Sequence, residues 1–390
     1  MPGYEMLHVL QLSANRGPMV HDLPRPGADA RLRAVKNRSI TLKWALALAG
    51  LALAIFGFDW LRSGGAFRSV QSGFSGRCRA VALGGSSEHL QLDRERGLAY
   101  LSFLDRDSIA RGGAVNGTVM LLDLNLADPA PRAAMTFDPG NFRPQALSLF
   151  KRDQEAARLF VISQHPDGSY RVEIAEQGSS GGFFPKEAIR DPAFIHPSAI
   201  AATGVRQFYL ANVDTDSGAW ARARETVFRS GSATLVYFDG ARARVEASGL
   251  DRIGGLATSP DASRLYVAET LARALRIYQR NPANDALVLE EIVDLDTAPA
   301  GLDVDEDGVV WIAAHPRLIR FNSHLHDPAR ISPTQVLRFD PRQTGEARLT
   351  QVYLNAGDEI SGGTVAARWR DEFLIGALFD EKVLICKPNP

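Results

Sequence analysis

Cysteine is scarce in this chain. Only Cys78 and Cys386 occur among 390 residues, and they form no CxxC pair, which excludes a zinc-ribbon reading. A Gly-rich phosphate loop and a G-x-S-x-G elbow are also missing, so nucleotide-binding and serine-hydrolase readings fall away. Charge of either sign is not in excess. The formal net charge is −1 and basic residues are interspersed with acidic ones, leaving no nucleic-acid footprint. Beyond residue 61 no apolar run is long enough to cross a bilayer, and beyond Cys78 no long stretch carries helical spacing.

The one candidate span is the apolar run 44–58, lengthened by Trp60 and Leu61 and bounded by aromatic residues. Arg31, Arg33, Lys36, Arg38 and Lys43 crowd its N-terminal side, against Asp59, Arg62 and Arg68 beyond it, which places the N-terminus in the cytoplasm. A cleaved signal peptide is the rival reading, but its charged leader would be unusually long and no clean A-x-A site follows. Residues 1–40 lack apolar periodicity and read as a disordered cytoplasmic tail, with Met6 and Met19 as other candidate starts. The expected organisation is therefore a tail over 1–40, a signal anchor over 41–62, a linker over 63–77 and a globular region over 78–388. That region would be periplasmic or lumenal, where a disulfide can form and persist.

From Cys78 onward short β-rich runs alternate with Gly, Pro, Asp and Ser, as in Leu159-Phe160-Val161-Ile162 and Thr234-Leu235-Val236-Tyr237-Phe238. A unit recurs. Gly255-Leu256-Ala257-Thr258-Ser259-Pro260-Asp261 leads into Arg264-Leu265-Tyr266-Val267-Ala268 and then Leu275-Arg276-Ile277-Tyr278. Gly301-Leu302-Asp303-Val304-Asp305 leads similarly into Val310-Trp311-Ile312-Ala313 and then Leu318-Ile319-Arg320-Phe321. A period of roughly fifty residues is that of one propeller blade. The expected fold is an all-β, six-bladed propeller preceded by one transmembrane helix. The two cysteines stand at the ends of this region and allow one pairing, Cys78–Cys386, which would close the ring; two unrelated buried thiols are the alternative.

The region from Cys78 to Cys386 resembles the paraoxonase/arylesterase family of calcium-dependent lactonases, which is related to gluconolactonases and strictosidine-synthase-like proteins. The resemblance is carried by Ser87-Glu88-His89-Leu90, Phe142-Arg143-Pro144-Gln145-Ala146-Leu147, Gln164-His165-Pro166-Asp167, Ala314-His315-Pro316, Gly362-Gly363-Thr364-Val365-Ala366 and the terminal Cys386. It implies an axial calcium held by carboxylates and amides, which polarises a lactone or ester carbonyl while histidines activate water. Glu88 matches one ligand. His89 stands where the family has an aspartate on a second, structural calcium. Ser198-Ala199 replaces Asn-Asp, Gly254-Gly255 replaces Asn-Gly, and Ala300-Gly301 replaces Asp-Asn. Of the family's histidines the first is Gln145 here, while His165 and His315 persist.

One carboxylate and a hydroxyl cannot supply the six to eight oxygens that calcium takes, so the family's calcium is expected to be lost. Glu88, His165 and His315 are the expected catalytic residues. Glu88, His89, His165 and His315, with His196 in the same constellation, form a candidate set for zinc or another borderline transition metal. Asp303-x-Asp305-x-Asp307-Gly308 opens like an EF-hand loop, but Ala314 stands at the twelfth position, and the motif reads as an acidic turn. His324 and His326 are expected in a surface loop, and Arg222, Arg224, Arg242 and Arg244 on a solvated face. Two functions follow: an anchored hydrolase of lactones or aryl esters with a degraded calcium site, or a non-catalytic propeller binding a small ligand or an envelope protein.

Overall fold

The structure, a computed structural model, describes residues 28–113, 117–135, 142–152, 155–214 and 231–389. Arg222 and Arg224 lie outside the described residues. Contacts divide the chain into two units, Met1–Asp59 and Trp60–Pro390.

The first unit contains most of helix α1, Ala28–Ser63, which starts well before the apolar run. Its segment Lys43–Ser63 has a mean hydropathy of 1.8 and is long and apolar enough to cross a membrane. Trp44, Leu46, Leu53 and Ile55 are exposed along it, an arrangement suited to an apolar solvent.

The second unit is mostly antiparallel sheet, with a propeller-like arrangement. Strands β1 (Gly76–Ala82), β2 (Ser86–Asp93), β3 (Leu98–Leu104), β4 (Thr118–Asp123), β5 (Arg132–Met135), β6 (Pro144–Phe150), β7 (Arg158–Gln164), β8 (Tyr170–Gln177) and β9 (Phe183–Ile189) come first. Strands β10 (Pro197–Ala202), β11 (Phe208–Asn212), β12 (Ala233–Phe238) and β13 (Ala243–Leu250) make a four-stranded sheet. So do β14 (Ile253–Thr258), β15 (Arg264–Glu269), β16 (Ala274–Arg280) and β17 (Leu287–Asp294), and likewise β18 (Ala298–Val304), β19 (Val310–His315), β20 (Thr334–Phe339) and β21 (Leu349–Asn355). The remaining strands β22 (Gly363–Trp369), β23 (Glu372–Ala377) and β24 (Lys382–Pro388) join β1 to β9 in a 12-stranded sheet. Two single residue pairs hold that large sheet together, Ser87↔Ala377 and Met135↔Phe183. Helix α2, Arg106–Ala110, follows β3, and helix α3, Leu318–His326, follows β19.

The inner strands β2, β6, β10, β14, β18 and β22 contact one another in that order, and β22 returns to β2. Small residues permit the approach. A Cβ on Gly255 would lie 2.4 Å from the Ala300 carbonyl oxygen and 2.8 Å from the Leu302 nitrogen, so only glycine fits between β14 and β18. Aromatic and aliphatic side chains fill the space between neighbouring sheets. Phe208 of β11 lies 5.8 Å from Phe160 of β7 and 5.1 Å from Phe238 of β12, ring centroid to centroid.

Closure uses the terminal strands. β1 pairs antiparallel with β24, with Cys78 opposite Cys386, and the two sulfurs are bonded. The segment expected as a linker, 63–77, is held along this unit. Gly73 N–H donates to the Leu354 carbonyl at 3.0 Å, and the Phe74 ring packs 5.3 Å from Tyr353 and 5.6 Å from Phe373. Gly65, at φ +72°, passes so close to Pro316 that a Cβ would stand 2.4 Å from its carbonyl oxygen.

The acidic motif is a turn. Asp305 Oδ1 accepts from the Asp307 and Val309 N–H groups, Asp303 pairs with Arg94, and Asp307 pairs with Arg368. His324 and His326 differ from expectation: both lie on α3, and His324 is buried, its Nδ1 2.8 Å from the Arg330 carbonyl and its ring edge-on to Phe379. Leu318, Phe321 and Leu325 recur at helical spacing, which turns one face of α3 inward.

Candidate functional site

Where the inner strands converge they leave a cavity of about 250 Å³, bordered by α3. β2 contributes Glu88 and His89, and β19 contributes His315 at its C-terminal end. Gln145, Ser198, Gly254, Ala300 and Gly301, the positions where the resemblance expects a histidine and the calcium ligands, border the same space.

Glu88, His89 and His315 are each already constrained there. Arg106 of α2 donates to Glu88 Oε2 at 2.5 Å and to Ser86 Oγ at 2.7 Å, so the carboxylate is neutralised. His89 is buried, and burial pushes its pKa down to about 4. The Leu147 N–H donates to His89 Nδ1 at 3.3 Å, which leaves the ring proton on Nε2. His315 is 2% exposed, stacks on Phe321 at 3.4 Å between centroids, and is pushed down to about 3 by burial and, second, by His324. Among the described residues its Nδ1 has no hydrogen-bond partner.

These two histidines couple acidity to stability. In the unfolded chain they protonate near 6.5; in the native state they stay neutral to about 4 and about 3. Between those limits the unfolded state binds more protons, so stability falls as pH drops below 6.5. Glu173, which burial pushes up to about 7, acts in the opposite sense between its ordinary value and that point. Two groups outweigh one, so the urea midpoint is expected to fall between pH 7 and pH 5. The fall should be smaller in His89→Gln, whose amide oxygen can still accept from Leu147; an unchanged fall would contradict this account.

The structure brings Glu88, His89 and His315 to one cavity. His165 is elsewhere: it follows β7, outside the cavity lining, with Nε2 3.7 Å from Glu173 Oε1. Burial, with Arg190 second, lowers its pKa, and burial pushes the facing Glu173 carboxyl up to about 7. His196 also points away, its Nδ1 2.6 Å from Asp214 Oδ1. Among the described residues no group of three His, Cys, Asp or Glu side chains could hold a metal ion. The expected metal set Glu88, His89, His165 and His315 is thus not assembled: His165 faces its own sheet, and Arg106 and Leu147 engage Glu88 and His89.

Calcium does not fit either. Ser198 Oγ donates to the Ile253 carbonyl at 2.7 Å, Glu88 is paired, and the remaining positions carry no side-chain oxygen. The neighbouring strands approach closely at two of these positions. A Cβ on Gly254 would stand 2.7 Å from Thr270 Oγ1 and 3.0 Å from the Ala300 Cα, and one on Gly301 would stand 2.5 Å from the Thr364 carbonyl oxygen.

Arg252 and the α3 residues Leu318, Phe321 and Leu325 also border the cavity, and sequence reading did not find them. The signal for Arg252 was its place directly before Ile253-Gly254-Gly255; for α3 it was the helical spacing after Pro316.

A family pattern described as arylesterase matches residues 107–387. Serum paraoxonase/arylesterase 1 from Homo sapiens is 29% identical over 355 residues, covering 88% of this chain and 98% of its own. The Rattus norvegicus serum paraoxonase/arylesterase 1 is 30% identical over 276 residues, covering 69% and 76% respectively. A solved luciferin-regenerating enzyme superposes with a TM-score of 0.49 at 13% identity, over 80% of this chain and 95% of its own. With a propeller-like sheet arrangement and a matched region that spans most of the second unit, the chain belongs to the arylesterase family.

Proposed function

We propose that this is a six-bladed propeller on a single-pass anchor, with a cytoplasmic N-terminus, whose axial cavity binds a small ester-, lactone- or carboxylate-type molecule without calcium. The blade count rests on dividing the large sheet at its two single-pair links, which gives β1 with β22–β24, then β2–β5 and β6–β9, beside the three separate sheets. The orientation rests on the basic residues that precede the apolar run, and the oxidising compartment on the Cys78–Cys386 bond. One observation carries the functional reading: Ser198, Gly254, Ala300 and Gly301, where the resemblance expects calcium ligands, border the cavity with one hydroxyl and three residues without side-chain oxygen.

A second reading, calcium-independent hydrolysis of lactones or aryl esters, draws support from Glu88, His89 and His315 bordering the same cavity. Glu88 and His315 would be its residues; His165, turned to Glu173, would not touch the substrate.

Metal analysis and chelation test the proposal. The purified chain should carry no calcium, and a chelator should leave its unfolding midpoint unchanged, because no bound ion stabilises the native state by mass action. A midpoint that drops on chelation and returns with calcium alone would overturn it. Lactone or aryl-ester turnover that persists in chelator and disappears in Glu88→Gln would select the hydrolytic reading.

A further inference from the structure

Among the described residues, one cation that borders the cavity has no partner. Arg252 borders it from the segment just before β14, half-buried, and its guanidinium makes no hydrogen bond or ion pair among the described residues. Its backbone is held at φ +49°, in the left-handed region, where the Thr270 N–H donates to its carbonyl at 2.8 Å. An unusual backbone conformation fixed by a neighbouring strand sets where the side chain departs. The acids nearby are occupied. Glu88 is taken by Arg106 at 2.5 Å, Asp214 is 2.6 Å from His196 Nδ1, and Glu269 is taken by Arg276. With Glu88 and Arg106 cancelling and both cavity histidines neutral, Arg252 leaves the space with a net positive charge.

Further donors border the same space. Among the described residues the Gln145 amide has no partner, and the Nε2–H of His89 is free to donate because Nδ1 accepts from Leu147. The rest of the wall is mostly apolar, with Ala146, Val213, Ile253, Phe321 and Leu378, and its Ser198, Thr270 and Thr364 hydroxyls donate to backbone carbonyls. One charged fork and two neutral donors set in an apolar wall match one end of an elongated monoanion and the body behind it.

We infer that the cavity is a carboxylate site, in which Arg252 binds the head group of a monocarboxylate carrying an apolar or aryl body, and Gln145 and His89 complete its hydrogen bonds. The inference rests on the proposal that the cavity binds a small molecule and names the chemical class it takes. A carboxylate is also what hydrolysis of an ester or lactone leaves behind, so the site would retain an acid product or select an acid ligand.

Calorimetric titration of the full-length chain with 4-phenylbutyrate and with its neutral amide, 4-phenylbutyramide, separates charge from shape. The acid should bind about tenfold to a hundredfold more tightly, the range expected for a charge-assisted pair. Arg252→Gln should abolish that preference while keeping the amide's affinity, and Arg252→Lys should keep part of it. Equal affinity for acid and amide in the native chain, or a preference that survives Arg252→Gln, would overturn the carboxylate site and leave the cavity reading standing. Binding of neither compound would overturn both. The comparison within the unaltered chain holds even if a variant fails to fold.

Discussion

Replacing Cys78 and Cys386 together by alanine is expected to lower the stability of the sheet region by up to about 5 kcal/mol, a shift of roughly 10 °C in its unfolding midpoint. The bond joins residues 308 apart, so in the unfolded chain it closes a loop that encloses almost every strand. In the native state it costs little, because β1 and β24 already lie paired with Cys78 opposite Cys386 and Cys386 packed in the core beside Tyr353 and Phe373. Thermal unfolding with and without a reductant checks this. Reduction should lower the native protein to the level of the double variant and leave the variant unmoved. Equal midpoints for the oxidised protein and the variant would mean that backbone pairing alone closes the structure.

Asp305→Ala is expected to cost about 3 to 5 kcal/mol, since it strands several donors in the interior at once. The side chain is 0% exposed and accepts from four directions. Asp307 N–H and Val309 N–H reach Oδ1 at 3.0 and 2.9 Å, while Trp311 Nε1–H and an Arg368 N–H reach Oδ2 at 3.0 and 3.2 Å. Trp311 in turn stacks on Phe373, with centroids 5.7 Å apart, so losing its partner loosens the packing between two sheets. Asp305→Asn keeps one acceptor oxygen for the turn and should lose roughly half as much. Urea unfolding of the two variants measures the difference. A loss below about 1 kcal/mol for alanine would show that water or rearranged neighbours satisfy these donors.

Strands and turns were legible in the sequence because they are local. Leu265-Tyr266-Val267-Ala268 is strand-like on its own, and Gly308 after Asp307 announces a turn without reference to anything distant. Placing Glu88 and His315 at one cavity needed the family resemblance, since they lie on different strands far apart in the chain. His165 shows the limit of such borrowing. Its position in the chain matches, yet its ring faces Glu173, and that orientation depends on the packing of β8. Helix α3 escaped notice for a different reason: its nine residues follow a strand directly, and Leu318-Ile319-Arg320-Phe321 reads equally as a third strand. Arg252 was invisible because a solvated arginine and an unpaired one in a cavity are the same letter. Only the pairing of Glu88 and Glu269 with other cations distinguishes them.

The pairing of β1 with β24 also orders events in time. At ordinary elongation rates of about 5 to 20 residues per second, the sequence separation of 308 between the two cysteines takes roughly 15 to 60 s to synthesise. Through that interval the first strand has no neighbour, its thiol has no mate, and its backbone donors form an open edge of the kind that captures other chains. Newly made protein is therefore most exposed to misassembly before its last strand emerges, and an oxidant acting early would find Cys78 alone and capture it for the wrong molecule.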